Sequence, residues 1–352
     1  MLNCGLIGLS GGGKTTLFEL LTKARAAGYG TGRGVAAVPD ERVDFLSRLY
    51  HPRKTTYAQI EFLDLPGLPP GGGDRTAANR LLAEARKSDA LLHVLRGFPR
   101  EGLPDPDPVR DLEELETELV VADLEVVERR LERVRADRKA DKAELPALER
   151  CREALEGGRA VFAAGLSEED AAHLRGYELL TGKPALVVAN LDEAAFRQGE
   201  FPGRAALEKA CREKGYPLLT VAARIELEID QLEGEDRQAF MEDLGLSEPG
   251  IQRLCRAVYR RLGLISFLTA GEDEVRAWTV AEDTPARQAA GKIHSDIERG
   301  FIRAEVASFT DLEREGSLAV LRDKGLLRLE GRDYPVKDGD IINFRFNVTK
   351  GS

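Results

Sequence analysis

The chain opens with Met1-Leu-Asn-Cys-Gly-Leu-Ile-Gly-Leu-Ser-Gly-Gly-Gly-Lys-Thr-Thr-Leu-Phe-Glu-Leu-Leu-Thr22, and this stretch decides the fold. A short apolar run that predicts a strand, Cys4–Ile7, leads directly into an octet, 8–15, that fits Gly-x4-Gly-Lys-[Ser/Thr]. Apolar residues then recur at helical spacing. Glycines let successive N–H groups converge on phosphate oxygens, and the N-terminal end of the following helix adds positive potential. The stretch therefore predicts a phosphate-binding loop between a strand and a helix.

The side chains of this loop predict how a nucleoside triphosphate is held. We expect Lys14 to reach the β- and γ-phosphates and act in catalysis, and the Thr15 hydroxyl to hold Mg²⁺. The other loop residues expected to contact the nucleotide are Gly8, Ser10, Gly11, Gly12, Gly13 and Thr16. A chance match is the alternative, since the chain has 35 Gly in 352 residues, but the strand before and the helix after argue against it.

Composition limits the classes of function. A chain of 352 residues predicts about two domains, each with its own core. The net charge of −10 argues against general nucleic-acid binding, so an RNA contact would need a local basic patch. The four cysteines form no C-x-x-C pair, which argues against structural zinc and fits a reducing cytosol. No leader-like segment and no apolar run of membrane-spanning length are evident, so we expect a cytoplasmic protein without a membrane partner.

A second part of the site is expected at the end of the strand predicted over 57–63. Asp64 follows this strand, and Gly67 lies three residues later. The carboxylate would reach Mg²⁺, and the Gly67 amide would bond the γ-phosphate. Leu68 stands where many GTPases carry a glutamine that orients the attacking water. Because leucine cannot hydrogen-bond that water, we expect hydrolysis to be slow or to use another group, whether Leu68 faces the site or packs inside.

Two further residues carry weaker signals. Thr31 lies in a loop predicted over 23–34, where switch-type nucleotidases use a threonine to complete the Mg²⁺ shell. An ordinary loop residue is an equally good interpretation of Thr31. His93 lies in the apolar strand predicted over 90–95, and we expect a hydrogen-bonded core histidine there rather than a catalyst.

The stretch from about 110 to 175 predicts a helical hairpin inserted into the nucleotide domain. Its apolar residues keep heptad-like spacing, with a one-residue slip before the last three: Leu112, Leu115, Leu119, Ala122, Val127, Leu131 and Val134. Basic residues outnumber acidic ones between Glu128 and Lys142, which makes this stretch the best candidate for a nucleic-acid contact. A solvated helix face with ion pairs is the commoner meaning of such a run, and both interpretations stay open.

A base-recognition site is predicted after the buried strand at 184–190. This strand ends in Asn190-Leu-Asp-Glu193, where guanine-specific proteins carry Asn-Lys-x-Asp. Glu193 is a methylene longer than aspartate and would misplace the bidentate contact to guanine, costing ~1–3 kcal/mol of discrimination. Leu191 can cover the base only with apolar surface. We expect Ala222 and Ala223, which follow the next strand, to close over the base, and adenine becomes admissible.

With these residues assembled, the chain resembles the Obg-like ATPase family, also called YchF-type. The most specific stretches are Cys4–Thr22, Thr117–Glu125, Phe267–Trp278, Ala289–Glu305 and Gly339–Asn347. The resemblance implies an α/β fold: a P-loop NTPase parallel sheet, an inserted antiparallel helical hairpin resembling a coiled coil, and a C-terminal TGS module of β-grasp shape. The expected domains are the nucleotide domain at 1–109 and 176–264, the hairpin at 110–175 and the TGS module at 265–349.

The resemblance also implies an activity. It implies ATP preferred over GTP, slow Mg²⁺-dependent hydrolysis often helped by K⁺, and association with the ribosome or ribosomal RNA. A hydrophobic residue at position 68 and the Asn-x-x-Glu arrangement are typical of that family. Two alternatives stay open: a GTP-binding switch, and a scaffold that binds nucleotide without useful turnover. A small-molecule kinase is disfavoured, because the Asp64–Gly67 turn and the Asn190–Glu193 site belong to nucleotide switches.

Overall fold

The chain folds into alternating strands and helices followed by a strand-rich region. The computed structural model describes residues 2–23, 32–69, 75–137 and 142–347. The strands are β1 (Asn3–Ile7), β2 (Gly32–Val38), β3 (Lys54–Thr56), β4 (Ala58–Asp64), β5 (Ala90–Gly97), β6 (Ala185–Leu191), β7 (Leu218–Val221), β8 (Leu264–Thr269), β9 (Glu274–Ala281), β10 (Phe301–Ser308), β11 (Arg328–Glu330) and β12 (Asp340–Phe346). The helices are α1 (Lys14–Thr22), α2 (Glu41–Tyr50), α3 (Arg75–Ala85), α4 (Pro108–Ala136), α5 (Leu145–Glu156), α6 (Glu168–Leu174), α7 (Glu193–Gln198), α8 (Arg204–Glu213), α9 (Ala223–Asp230), α10 (Gly234–Asp243), α11 (Gly250–Arg261), α12 (Ala286–Ile293), α13 (Ser295–Arg299), α14 (Phe309–Glu315) and α15 (Leu318–Asp323). In the described part of the chain, no helix combines the length and the apolar character needed to cross a membrane.

The elements form two compact units. The first comprises Met1–Ala36 and Glu61–Leu254, and the second comprises Ala37–Ile60 and Cys255–Ser352. The second unit therefore takes up α2 and β3 from the N-terminal part of the sequence as well as the C-terminal region. The four domain boundaries expected from the sequence stay a prediction.

The first unit is built on a sheet with strand order β2-β4-β1-β5-β6-β7. Strand β1 pairs in parallel with β4 and β5, β5 pairs in parallel with β6, and β6 with β7. The apolar runs in β5 and β6 are buried along their whole length, as expected for central strands covered on both faces. Because parallel strands end at one edge, the segments that follow β1, β4 and β6 meet there. The parallel α/β sheet predicted from the sequence is confirmed.

Strand β2 corrects one expectation. Residues 32–34, predicted to belong to a loop over 23–34, form the start of this strand at the edge of the sheet. Gly32 and Gly34 make the strand hard to predict from the sequence, because glycine has a low preference for strands. Gly34 is needed there, since a Cβ would lie 2.6 Å from the Cβ of Thr22. Residues 24–31 lie outside the described residues, so the assignment of Thr31 to a metal shell stays a prediction.

The helical hairpin predicted from the heptad spacing is present as α4 and α5. The first apolar residues of α4, Leu112 to Leu119, pack into the core of the parallel sheet. The later ones, Val127 and Leu131, pack instead on α5 around Leu148. The one-residue slip in the heptad pattern thus falls where α4 changes its packing partner.

The basic stretch on the hairpin is partly neutralised by ion pairs between its two helices. Arg130 bonds Glu144, and Arg135 bonds Glu149 at 2.8 Å. These bridges join α4 to the N-terminal end and first turns of α5, rather than joining residues four apart on one helix. Residues 138–141 lie outside the described residues, and the nucleic-acid contact stays a prediction.

The second unit is a mixed sheet with strand order β11-β10-β12-β8-β9-β3. Helix α12 packs on this sheet, and its alanines share a core with Phe267, Val306 and Ile342. This arrangement of a mixed sheet and a helix fits the β-grasp module that the resemblance implied. Trp278 stacks on Phe267 with ring centroids 6.3 Å apart, and it packs, partly buried, against this core. The edge strand β3 pairs in parallel with β9 and was not predicted.

Candidate nucleotide site

The glycine-rich segment after β1 curls around its own lysine. Lys14 begins α1 and is only 6% exposed, and its Nζ donates hydrogen bonds to the carbonyl oxygens of Gly8 at 3.1 Å and Leu9 at 2.9 Å. Burial lowers the pKa of the Lys14 ammonium to about 8, against a smaller opposing effect of Asp64. Gly13 has φ of +85°, and a Cβ there would collide with the side-chain amide of Asn190. Only glycine therefore fits this turn without strain.

A candidate cation site lies beside the lysine. The Thr15 hydroxyl donates to Oδ2 of Asp64 at 2.9 Å, and Oδ1 of Asp64 is buried without a hydrogen-bond partner among the described residues. Burial raises the pKa of the Asp64 carboxyl, while the Thr15 hydroxyl and the Lys14 ammonium lower it. A buried carboxylate oxygen with no donor is costly, and a hard cation would compensate that cost.

The donors of this site fit Mg²⁺, which phosphates and water help to coordinate, better than a metal whose ligands all come from protein side chains. Within residues 2–23, 32–69, 75–137 and 142–347, three or more His, Cys, Asp or Glu side chains nowhere gather as a metal site. Magnesium is usually held by one or two carboxylates together with phosphates and water. The pair formed by Thr15 and Asp64 supplies such a partial set, and a bound triphosphate would complete it.

The turn after β4 is fastened to the phosphate-binding loop by backbone contacts. The amide of Leu68 donates to the carbonyl of Gly8 at 3.0 Å, and the amide of Ser10 donates to the carbonyl of Leu68 at 3.0 Å. A Cβ on Gly67 would lie 2.6 Å from the Cα of Ser10. The Leu68 side chain is 0% exposed and packs in the core. Leu68 therefore positions the loop through its backbone, and its side chain offers no hydrogen bond to a water.

Asn190 joins the loop to the segment after β7. Its amide nitrogen donates to the carbonyl of Gly12 at 3.2 Å, and its amide oxygen accepts from the backbone amide of Ala223 at 3.1 Å. Ala222 and Ala223 are buried next to this contact. The structure therefore brings Asn190 and Ala223 to the phosphate-binding loop.

The other two residues of the predicted base site have different surroundings. Leu191 is buried in the core of the sheet, where its side chain packs against Gly97. Glu193 is half-exposed and accepts a hydrogen bond from Nε of Arg197 at 2.9 Å. Arg197 also pairs with Asp243 at 2.6 Å, so it holds two carboxylates. The roles of Leu191 and Glu193 beside a base stay predictions.

Two basic residues that contact predicted site residues, Arg197 at Glu193 and Arg100 at Gly11, escaped the sequence analysis. Arg197 lies four residues after Glu193, a spacing that predicts an ion pair on a helix and could have revealed it. Arg100 follows β5, and its guanidinium donates to the carbonyl of Gly11 at 3.4 Å. No motif marks Arg100, because the contact joins segments 89 residues apart. Arg100 adds a cation beside the loop.

The glycine-rich loop, the Thr15–Asp64 pair and the fastened turn on one edge of a parallel sheet define a P-loop nucleotidase of the GTPase type. A family model described as 50S ribosome-binding GTPase matches residues 3–128. A second, YchF-GTPase_C, described as a protein of unknown function (DUF933), matches residues 264–347.

Relatives that match along nearly their whole length show to which family of nucleotidases the chain belongs. The chain is 40% identical to the ribosome-binding ATPase YchF of Bacillus subtilis, with 99% of this chain and 100% of that protein covered. It is 39% identical to the protein of the same name from Escherichia coli O157:H7, with 98% and 99% covered. The solved structure of the Schizosaccharomyces pombe YchF GTPase is similar, with a TM-score of 0.86, 28% identity, and 98% and 97% of the two chains covered. The chain belongs to the YchF family.

Proposed function

We propose that this protein is a Mg²⁺-dependent ATPase that prefers ATP to GTP, hydrolyses it slowly and acts as a ribosome-associated switch in the cytoplasm. The observation that carries the proposal is the Thr15–Asp64 pair, with one carboxylate oxygen unpartnered among the described residues, beside the buried Lys14. The bacterial relatives named above are ribosome-binding ATPases, which supports both the reaction and the partner.

The loop binds phosphate by exchanging internal contacts for external ones. Lys14 gives up hydrogen bonds to the carbonyls of Gly8 and Leu9 and donates to the β- and γ-phosphate oxygens instead. Thr15 and Asp64 would hold Mg²⁺, and the ion, when bound, would supply positive charge beside the phosphates. Through its bond to Gly12, Asn190 fixes the position of the phosphate-binding loop relative to the proposed base site.

The choice of base depends on Glu193. Its carboxylate is longer than the aspartate of guanine-specific sites, and it is engaged with Arg197. Recognition of guanine N1–H and N2–H₂ would require Glu193 to change position and loosen that ion pair, whereas adenine makes no such demand. The names of the relatives include both ATPase and GTPase, and it is Glu193 with Arg197 in this chain that favours ATP.

Slow turnover follows from the turn after β4. The buried Leu68 side chain cannot orient an attacking water, and the alignment of that water then depends on the nucleotide, the metal and a partner. A switch with a slow intrinsic rate keeps its ATP-bound state until the partner accelerates hydrolysis. The ribosome is the partner we propose.

Single-turnover hydrolysis tests this function. We expect Mg²⁺-dependent release of phosphate from ATP that is faster with ribosomes than without them, and slower release from GTP. Lys14→Ala should abolish the reaction, while Lys87→Ala should leave it unchanged, because Lys87 is an exposed lysine paired with Glu84. ATP binding with no hydrolysis in either condition would favour the scaffold, and faster GTP hydrolysis would favour the GTP-binding switch.

A further inference from the structure

The segment that follows β5 packs against the phosphate-binding loop. We call this segment, residues 98–105, the Arg100 loop. A Cβ at Gly11 would lie 2.7 Å from Cδ1 of Leu103, and a Cβ at Gly13 would lie 3.7 Å from Cε1 of Phe98. The Arg100 loop therefore lies directly on the glycines that are proposed to hold phosphate.

A buried arginine fixes the shape of the Arg100 loop. Arg96, in β5, is only 6% exposed, and its guanidinium donates to the backbone carbonyls of Phe98 at 2.9 Å and Pro104 at 2.7 Å. These carbonyls lie near the two ends of the Arg100 loop, so one side chain ties its start to its end. Because breaking these bonds would leave a buried charge without acceptors, the loop is held firmly in this place.

The Arg100 loop carries an exposed guanidinium to the phosphate-binding loop. Nη1 of Arg100 donates to the carbonyl of Gly11 at 3.4 Å, which is long for a hydrogen bond. In the described part of the chain, no carboxylate forms an ion pair with Arg100, whereas Arg197 binds two. Bonds between a guanidinium and phosphate are short and charge-assisted, so Arg100 can exchange the weak bond to Gly11 for a stronger one to phosphate.

Hydrolysis of a triphosphate needs positive charge at this place. A water attacks the γ-phosphorus, the new P–O bond forms as the bond to the β–γ bridging oxygen breaks, and ADP, phosphate and one proton are released. An arginine that stabilises the charge of the transition state accelerates such reactions about 10³–10⁵-fold in other nucleotidases. The buried Leu68 side chain cannot orient the water, so electrostatic stabilisation is the larger contribution left to the protein.

We propose that Arg100 is a catalytic residue of the ATP hydrolysis proposed above, the function on which this role rests. Its guanidinium leaves the Gly11 carbonyl and donates to β- and γ-phosphate oxygens, more strongly in the transition state than in bound ATP. A planar guanidinium bonds two phosphate oxygens at once, which an ammonium does not. Removal of the guanidinium should therefore lower the rate of hydrolysis more than the affinity for ATP.

Single-turnover hydrolysis at saturating ATP and Mg²⁺ tests this role. We expect Arg100→Ala to lower the rate at least about tenfold and to weaken ATP binding by less than about threefold. Arg100→Lys should keep only part of the rate, because the ammonium is a point charge. The matched control is Arg110→Ala, which removes the same charge from an exposed arginine in α4 and should leave the rate unchanged. A smaller loss in Arg100→Ala, or an equal loss in Arg110→Ala, overturns the proposal.

A transition-state analogue separates failure of this role from failure of the proposed function. ADP with aluminium fluoride imitates the phosphoryl group in transfer, so its affinity is measurable even if the wild type hydrolyses no ATP. We expect Arg100→Ala to lose at least about tenfold in affinity for this complex and to bind ADP alone like the wild type. Absence of wild-type hydrolysis refutes the proposed function, whereas equal affinities of Arg100→Ala and wild type for the analogue refute the role of Arg100.

Discussion

The nucleotide-free pKa of Lys14, about 8, makes ATP binding depend on pH in a calculable way. Phosphates stabilise the ammonium, so its pKa in the complex should return at least to the ordinary 10.5. Binding then takes up about 0.1 proton at pH 7, about 0.5 at pH 8 and about 0.9 at pH 9. The affinity for ATP should fall about tenfold between pH 7 and pH 9, equivalent to about 1.4 kcal/mol.

Titration calorimetry measures this uptake directly, because the apparent enthalpies in two buffers differ by the number of protons exchanged multiplied by the difference between the buffers' ionisation enthalpies. Lys14→Arg is the matched control: its guanidinium does not titrate in this range, so its affinity should be nearly independent of pH even if weaker. The same lowered pKa also determines how the stability of the protein changes with pH. Stability of the nucleotide-free protein should rise between about pH 8 and pH 10.5, where the unfolded chain binds more protons. Uptake below about 0.2 proton at pH 9, with constant affinity, would refute the reasoning.

Three substitutions extend these expectations. Asp64→Asn should lower ATP affinity in Mg²⁺ to the value in EDTA without destabilising the nucleotide-free protein, because the amide can keep the bond from Thr15 and removes a buried charge of which one oxygen has no donor among the described residues. Calorimetry measures the affinity and thermal melting the stability, and a loss of stability above about 1 kcal/mol contradicts the expectation. Glu193→Asp should raise the ratio of GTP to ATP affinity about 10- to 100-fold in competition binding. A change below about twofold would contradict the role of Glu193 in selecting the base. Asp123→Ala should lower the free energy of unfolding in urea by about 3–5 kcal/mol. Asp123 is 0% exposed, accepts hydrogen bonds from the Leu180 and Thr181 amides and pairs with Arg86, so its removal leaves these groups buried without a partner. A decrease below about 1 kcal/mol argues against this network.

The sequence could predict that the loop, Asp64 and Asn190 lie together, because their placement depends on local order and one geometric rule. The loop at 8–15 needs only a strand before it and a helix after it. Asp64 and Asn190 are far apart in sequence, but both end buried strands, and parallel strands end at one edge of the sheet. The Thr15–Asp64 contact follows from that rule without any further information.

The features that were missed depend on contacts between distant segments. Strand β3 takes its place from β9, more than 200 residues later, and has too few residues to show a pattern. The backbone bonds of Leu68 to Gly8 and Ser10 are independent of side-chain type and leave no mark in the sequence. His93 is buried as predicted, but the hydrogen bonds expected for it are wrong, because neither ring nitrogen has a partner among the described residues. Whether these nitrogens find partners depends on the packing of the hairpin and the segment after α8, which spacing cannot predict.

The central claim is that the loop at 8–15 holds the triphosphate of ATP through Lys14. Calorimetric titration of ATP with Mg²⁺ into wild type, Lys14→Ala and the control Lys87→Ala tests it most directly. We predict that Lys14→Ala keeps its fold and loses at least about 100-fold in affinity, as expected for lost bonds to a charged group, while Lys87→Ala binds like wild type. An affinity of Lys14→Ala within about fivefold of wild type would contradict the account.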